Sequence, residues 1–74
     1  MIARAPLAER VWRVRKNHTW IDAQVHEDAD GIEVGFTYDG ARLYARRFPT
    51  RELALREADR MLRDLQRVGW STHW

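Results

Sequence analysis

The pattern of apolar and polar positions changes period once along the chain. From position 10 to position 48 the two kinds alternate, and from 50 to 68 apolar residues recur every third or fourth place. Alternation puts successive side chains on opposite faces of a strand, whereas the longer spacing draws a stripe down one side of a helix. The most informative stretch is Ile32 to Phe48, IEVGFTY-DG-ARLYARRF. An Asp-Gly pair between two alternating runs specifies a tight hairpin, because a primed two-residue turn needs positive φ at both centres. With Asp39 and Gly40 as that turn, Tyr38 pairs with Ala41, Phe36 with Leu43 and Val34 with Ala45. The other face then sets Glu33 opposite Arg46, Gly35 opposite Tyr44 and Thr37 opposite Arg42. One face is apolar and the other places acid across from base, as pairwise sheet stabilisation requires.

Two further alternating runs precede this hairpin: Arg10 to Lys16 (RVWRVRK) and Trp20 to His26 (WIDAQVH). A turn at Asn17-His18 pairs Val14 with Ile21 and Trp12 with Ala23 on the apolar face. On the polar face it pairs Arg13 with Asp22 and Arg15 with Trp20. An acidic loop, Glu27 to Gly31, then joins Val25 to Ile32, Ala23 to Val34 and Ile21 to Phe36. The inner face therefore carries Trp12, Val14, Ile21, Ala23, Val25, Ile32, Val34, Phe36, Leu43 and Ala45.

A sheet with one apolar face needs a cover, and the segment after Pro49 supplies it. Thr50 is a natural N-cap, and RELALREADRMLRDLQRV is rich in helix formers. Ala54, Leu55, Ala58, Met61, Leu62, Leu65 and Val68 fall on one stripe. The opposite face alternates in sign, with Glu52–Arg56 and Asp59–Arg63 at i,i+4. Gly69 sits where a left-handed C-cap belongs, and Trp70 follows to pack back on the last turn near Leu65. The expected fold is α+β: a four-stranded antiparallel meander (ββββα) with one C-terminal helix packed on one face. It occupies residues 10–70 as a single domain, with a flexible N-terminal tail at 1–9 and a C-terminal tail at 71–74.

Composition narrows the functional classes. With 74 residues the chain buries only about 60% of its unfolded surface, so its core is thin. It has no cysteine to staple that core, which leaves tight packing, a partner or self-association to supply the rest. The same absence suits a reducing cytosol. The opening MIARAPLAER lacks a signal-peptide core and no apolar run is long enough to span a bilayer, so a cytoplasmic location is expected. Net charge is +2, from 13 basic and 11 acidic residues, a mixed surface rather than a basic one. All the bases but Lys16 are arginine, the side chain suited to bidentate and stacking contacts.

Little in the sequence points to catalysis. The single serine, Ser71, lies in the tail, and His18, His26 and His73 are scattered without ligand spacing. The glycines form no phosphate-cradling loop, and Asp22 and Glu33 each face an arginine in this register. No enzyme activity, metal site or cofactor is expected. The outer sheet face is more suggestive, because it gathers Arg13, Arg15, Arg42 and Arg46 with Trp20 and Tyr44. Such a surface serves a protein partner or a homo-oligomer, where Trp, Tyr and Arg anchor interfaces. It equally serves single-stranded DNA or RNA, with Trp20 and Tyr44 stacking on bases and the arginines meeting phosphates. In element order the chain resembles the whirly proteins and related transcriptional coactivators, a resemblance that implies single-strand binding by an oligomer. The expectation is a small non-enzymatic binding or interaction module, accessory or regulatory, acting through this face or by self-association, with single-strand nucleic-acid binding as the alternative.

Overall fold

The structure, a computed structural model, describes residues 9–72. Four strands, β1 (Glu9–Lys16), β2 (Thr19–Asp28), β3 (Gly31–Tyr38) and β4 (Ala41–Phe48), form one antiparallel sheet in sequence order, and the helix α1 (Arg51–Arg67) follows. The α+β architecture is the expected one. The expected N-terminal tail falls outside the described residues except for Glu9, which opens β1; His73 and Trp74 also lie outside them.

Local chemistry sets the turns. Asp39 and Gly40 adopt φ of 50° and 87°, as the hairpin there requires, and at the Asn17-His18 turn Asn17 takes φ 58°. Pairing of β1 with β2 follows the expected register from Trp12↔Ala23 to Arg15↔Trp20. A bulge at Val11 then brings Glu9, not Arg10, opposite Val25.

The β2–β3 register differs from expectation by two residues. Val25 pairs with Val34, Ala23 with Phe36 and Ile21 with Tyr38. The cause is a shorter turn: Asp30 donates its backbone N–H to the Asp28 carboxylate at 2.8 Å, closing the chain over Ala29-Asp30 instead of a five-residue loop. Gly31 opens β3 at φ 126°, and a Cβ there would lie 2.7 Å from the Phe48 carbonyl oxygen, so glycine is needed for the approach of the two strands. A two-residue shift keeps every side chain on its expected face.

In β4 the difference changes faces. The register is regular at Tyr38↔Ala41 and Thr37↔Arg42, slips by one, and resumes at Phe36↔Tyr44, Gly35↔Ala45, Val34↔Arg46, Glu33↔Arg47 and Ile32↔Phe48. Leu43 is the extra residue of a β-bulge. Beyond it Tyr44, Arg46 and Phe48 belong to the helix side, and Ala45 and Arg47 to the outer side. Leu43, expected in the core, is 55% exposed.

The main core cluster is Ala23, Val25, Ile32, Val34 and Phe36 from the sheet with Ala54 and Ala58 from α1, and Trp12, Phe48, Leu55 and Met61 pack around it; Val14 and Ile21 are buried as well. The Thr50 hydroxyl caps α1 by accepting from Leu53 N–H at 3.2 Å. At the other end Gly69, φ 106°, donates to Gln66 C=O and Trp70 donates to Leu65 C=O, the bonds of a Schellman motif. Trp70 meets Tyr38 edge-on at 6.4 Å. Ser71 pairs with Arg15 through two backbone hydrogen bonds of 2.8 and 3.0 Å, so the segment expected as a tail begins with a residue bridged to the β1 edge.

The bulge is testable by stability. Phe36→Ala is expected to cost about 3–5 kcal/mol as a core truncation. Leu43→Ala should stay within about 0.5 kcal/mol, as for an ordinary surface site. Urea midpoints at constant m-value check both, and a core-sized loss for Leu43→Ala would restore the unbulged register.

Candidate functional site

The β4 bulge and the helix together build a site that strict alternation does not foresee. Ala54 and Ala58 are small and fully buried, so α1 lies close to the sheet. Glu57, on the same helical face, is carried down with them and is 8% exposed. A carboxylate that deep needs donors. Tyr44 donates its hydroxyl to Glu57 Oε2 at 2.9 Å. Arg60 donates from Nε and a terminal nitrogen at 3.1 and 2.8 Å, and Arg46 lies 4.0 Å away. The Tyr44 ring stacks on Phe36 with centroids 5.2 Å apart. Without the bulge, Tyr44 would face away from this carboxylate.

Electrostatics follow from these contacts. Hydrogen bonds from Arg60, chiefly, and from Tyr44 hold the Glu57 carboxyl below its ordinary value of 4.5, against the opposing effect of burial. Tyr44 is pushed above its ordinary 10, first by burial and then by its bond to Glu57. The group is therefore a tyrosine donor, a carboxylate and two guanidinium groups.

Around it runs an open groove of about 440 Å³ between β4 and α1, lined by Arg46, Phe48, Leu53, Arg56, Glu57, Arg60 and Arg63. Four of these seven are cationic. Arg46 lies over the Phe48 ring at 5.3 Å and its side chain is 61% exposed. Among the described residues, Arg56 and Arg63 pair with exposed acids one turn earlier, Glu52 at 3.6 Å and Asp59 at 2.7 Å. Such surface pairs are weak and exchange readily. An anionic group arriving here meets exposed guanidinium donors above an apolar floor of Phe48 and Leu53.

The outer sheet face is differently furnished from what alternation implies. Of the six residues expected there, Arg13, Arg15, Trp20 and Arg42 keep their register positions, whereas Tyr44 and Arg46 have crossed to the helix side. Arg13 makes a two-point contact with Asp22 at 2.6 and 2.9 Å and lies over the Trp20 ring at 5.4 Å. Arg42 sits 3.6 Å from Glu33. Arg47, which strict alternation points inward, instead contacts Asp28 at 2.8 Å. The arginines of this face are largely engaged with its own acids. A small dimple of about 120 Å³ on this face is lined by Gln24, His26, Glu33, Gly35 and Arg42. Among those residues no His, Asp and Glu cluster could hold a metal ion, and no helix is long and apolar enough to cross a membrane.

The sequence reading missed Glu57 and the grouping of Arg56, Arg60 and Arg63 with Arg46. A signal existed for the first. Glu57 stands at i+3 from Ala54 and beside Ala58, inside the apolar stripe, with Arg60 one turn on. Comparison with known family models, curated proteins and solved structures gives no match to this chain.

Two outcomes check the buried network. Tyr44→Phe keeps the ring and removes a hydroxyl bonded to a charged carboxylate, and should cost about 1.5–3 kcal/mol. Glu57 has a depressed folded value, so its contribution is present above 4.5 and is lost as pH falls through that lower value. The stability gap between wild type and Glu57→Gln should therefore be widest above pH 4.5 and close on acidification, read from denaturation midpoints across the acid range. A gap independent of pH would remove Glu57 from the account.

Proposed function

We propose that the chain is a small non-enzymatic, cytoplasmic binding module, accessory or regulatory in role, that recognises an acidic partner through the groove between β4 and α1. The observation that carries this reading is the convergence of Arg46, Arg56, Arg60 and Arg63 on one open groove, with Phe48 and Leu53 in its lining. Arginine and aromatic side chains around an apolar floor are the usual composition of protein-contact anchors. The groove is favoured over the outer face because Arg13 there is held at two points by buried Asp22, whereas Arg56 and Arg63 have exposed partners.

One observation favours a second reading, binding of single-stranded DNA or RNA. Tyr44, Phe48 and Arg46 lie side by side on β4, and rings next to guanidinium groups suit stacked bases with neutralised phosphates. The two readings part on salt and on size. Fluorescence anisotropy titrations with a labelled acidic peptide and with labelled single-stranded oligonucleotides, at low and moderate salt, test them together with light-scattering mass.

Arg46→Glu with Arg63→Glu reverses two exposed charges of the groove and should lower affinity for the acidic peptide at least about tenfold. Arg15→Ala and Arg42→Ala, on the outer face, should leave it nearly unchanged. Loss of binding in the outer-face variants alone would move the site to the opposite side of the sheet. Tighter binding to oligonucleotides than to the peptide, falling steeply with salt, would favour the second reading.

A further inference from the structure

The groove adjoins an open strand edge, and the pair of features says more than either alone. β4 is an outer strand with no neighbour on its far side among the described residues. An outer strand directs alternate N–H and C=O groups away from the sheet. Past the bulge, Tyr44 to Phe48 runs in regular register, so five residues offer an undistorted edge. The other edge is unlike it, because β1 already receives Ser71 at Arg15. Ala41–Phe48 contains Arg42, Arg46 and Arg47 and no acid, whereas Glu9–Lys16, cationic as well, includes Glu9.

Resting on the groove reading above, we propose that the partner contributes an extended acidic segment that adds to β4 as a fifth strand. A strand laid against Tyr44–Phe48 sends every second side chain to the helix side, which is where the groove lies. Carboxylates at alternate positions then meet Arg46, Arg56 and Arg63, and their methylene stems cover Phe48 and Leu53. Backbone hydrogen bonds supply affinity in this mode, and the alternate side chains supply specificity. A second copy of this chain is a poorer occupant through the same strand, since its β4 brings three further arginines against these. A nucleic acid engages the arginines but has no amide ladder for the edge.

The test uses a blocked ten-residue peptide of alternating Glu and Thr, titrated into the isotope-labelled chain and followed by NMR. Four other probes accompany it: the Lys-for-Glu peptide, two versions N-methylated on one or the other alternate set of amides, and oligouridylate. Strand addition predicts slowed amide exchange within residues 44–48. It also predicts at least about tenfold weaker binding for the Lys peptide and for one N-methylated version but not the other. Equal binding of both N-methylated peptides would overturn strand addition and leave the groove as an anion site. Binding of oligouridylate without the Glu peptide would overturn the acidic strand in favour of nucleic acid. Binding of neither would remove the groove reading along with the inference.

Discussion

The close seat of α1 on the sheet is the constraint from which most of the molecule follows. A single helix must cover the whole inner face, and it comes near enough only because Ala54 and Ala58 present no bulk. Helical geometry then leaves no choice about Glu57, which shares their face. Its carboxylate is taken out of water, and that cost is met by Tyr44 and Arg60. Tyr44 reaches it because one extra residue in β4 turns the strand's last five side chains over. The helix contact, the buried acid and the bulge are thus one arrangement, held from the far side by the Trp12 indole N–H, which donates to Ala58 C=O at 2.9 Å.

The two sheet edges are handled differently. At β1 the chain returns on itself: Lys16 donates to Val68 C=O at 2.9 Å, satisfying a carbonyl past the helix end, and Ser71 pairs with Arg15. β4 has neither device. It carries a bulge at one end and arginines along its length, the features by which natural sheets discourage indiscriminate pairing. Those features repel a like-charged edge, and they leave an acidic strand unopposed.

How much of this was legible in the sequence can be judged residue by residue. The strand count, the meander order, the Asp39-Gly40 turn, the Thr50 cap and the Gly69 C-cap were all readable, because each rests on local chemistry. The β2–β3 slip was not, since the Asp28 side chain shortens the loop without disturbing the alternation. The β4 bulge left a faint trace. Strict alternation sets Arg47 opposite buried Ile32 and turns Phe48 outward, a mismatch at the strand's end that one inserted residue repairs. The clean pairing near Asp39-Gly40 concealed it, because both registers agree as far as Arg42. The expected site inherited that error at Tyr44 and Arg46 and kept Arg13, Arg15, Trp20 and Arg42. Grouping Arg56, Arg60 and Arg63 with Arg46 required knowing which helix face meets which strand edge, a long-range fact that periodicity does not encode.

A thin-cored domain has little stability to spare for a functional surface, and the groove asks for little. Arg56 and Arg63 are held by exposed i,i+4 pairs whose loss barely affects folding. Arg46 is anchored by stacking on Phe48 more than by its distant acid. Only Arg60 is bound firmly, by the buried carboxylate beneath the groove. The cations nearest solvent are therefore those the fold needs least, and the one it needs most forms the groove's fixed wall. A partner's carboxylates can take over the loose arginines without unpairing Glu57, so occupancy of this surface and integrity of the core are separable in energy even though they share a strand.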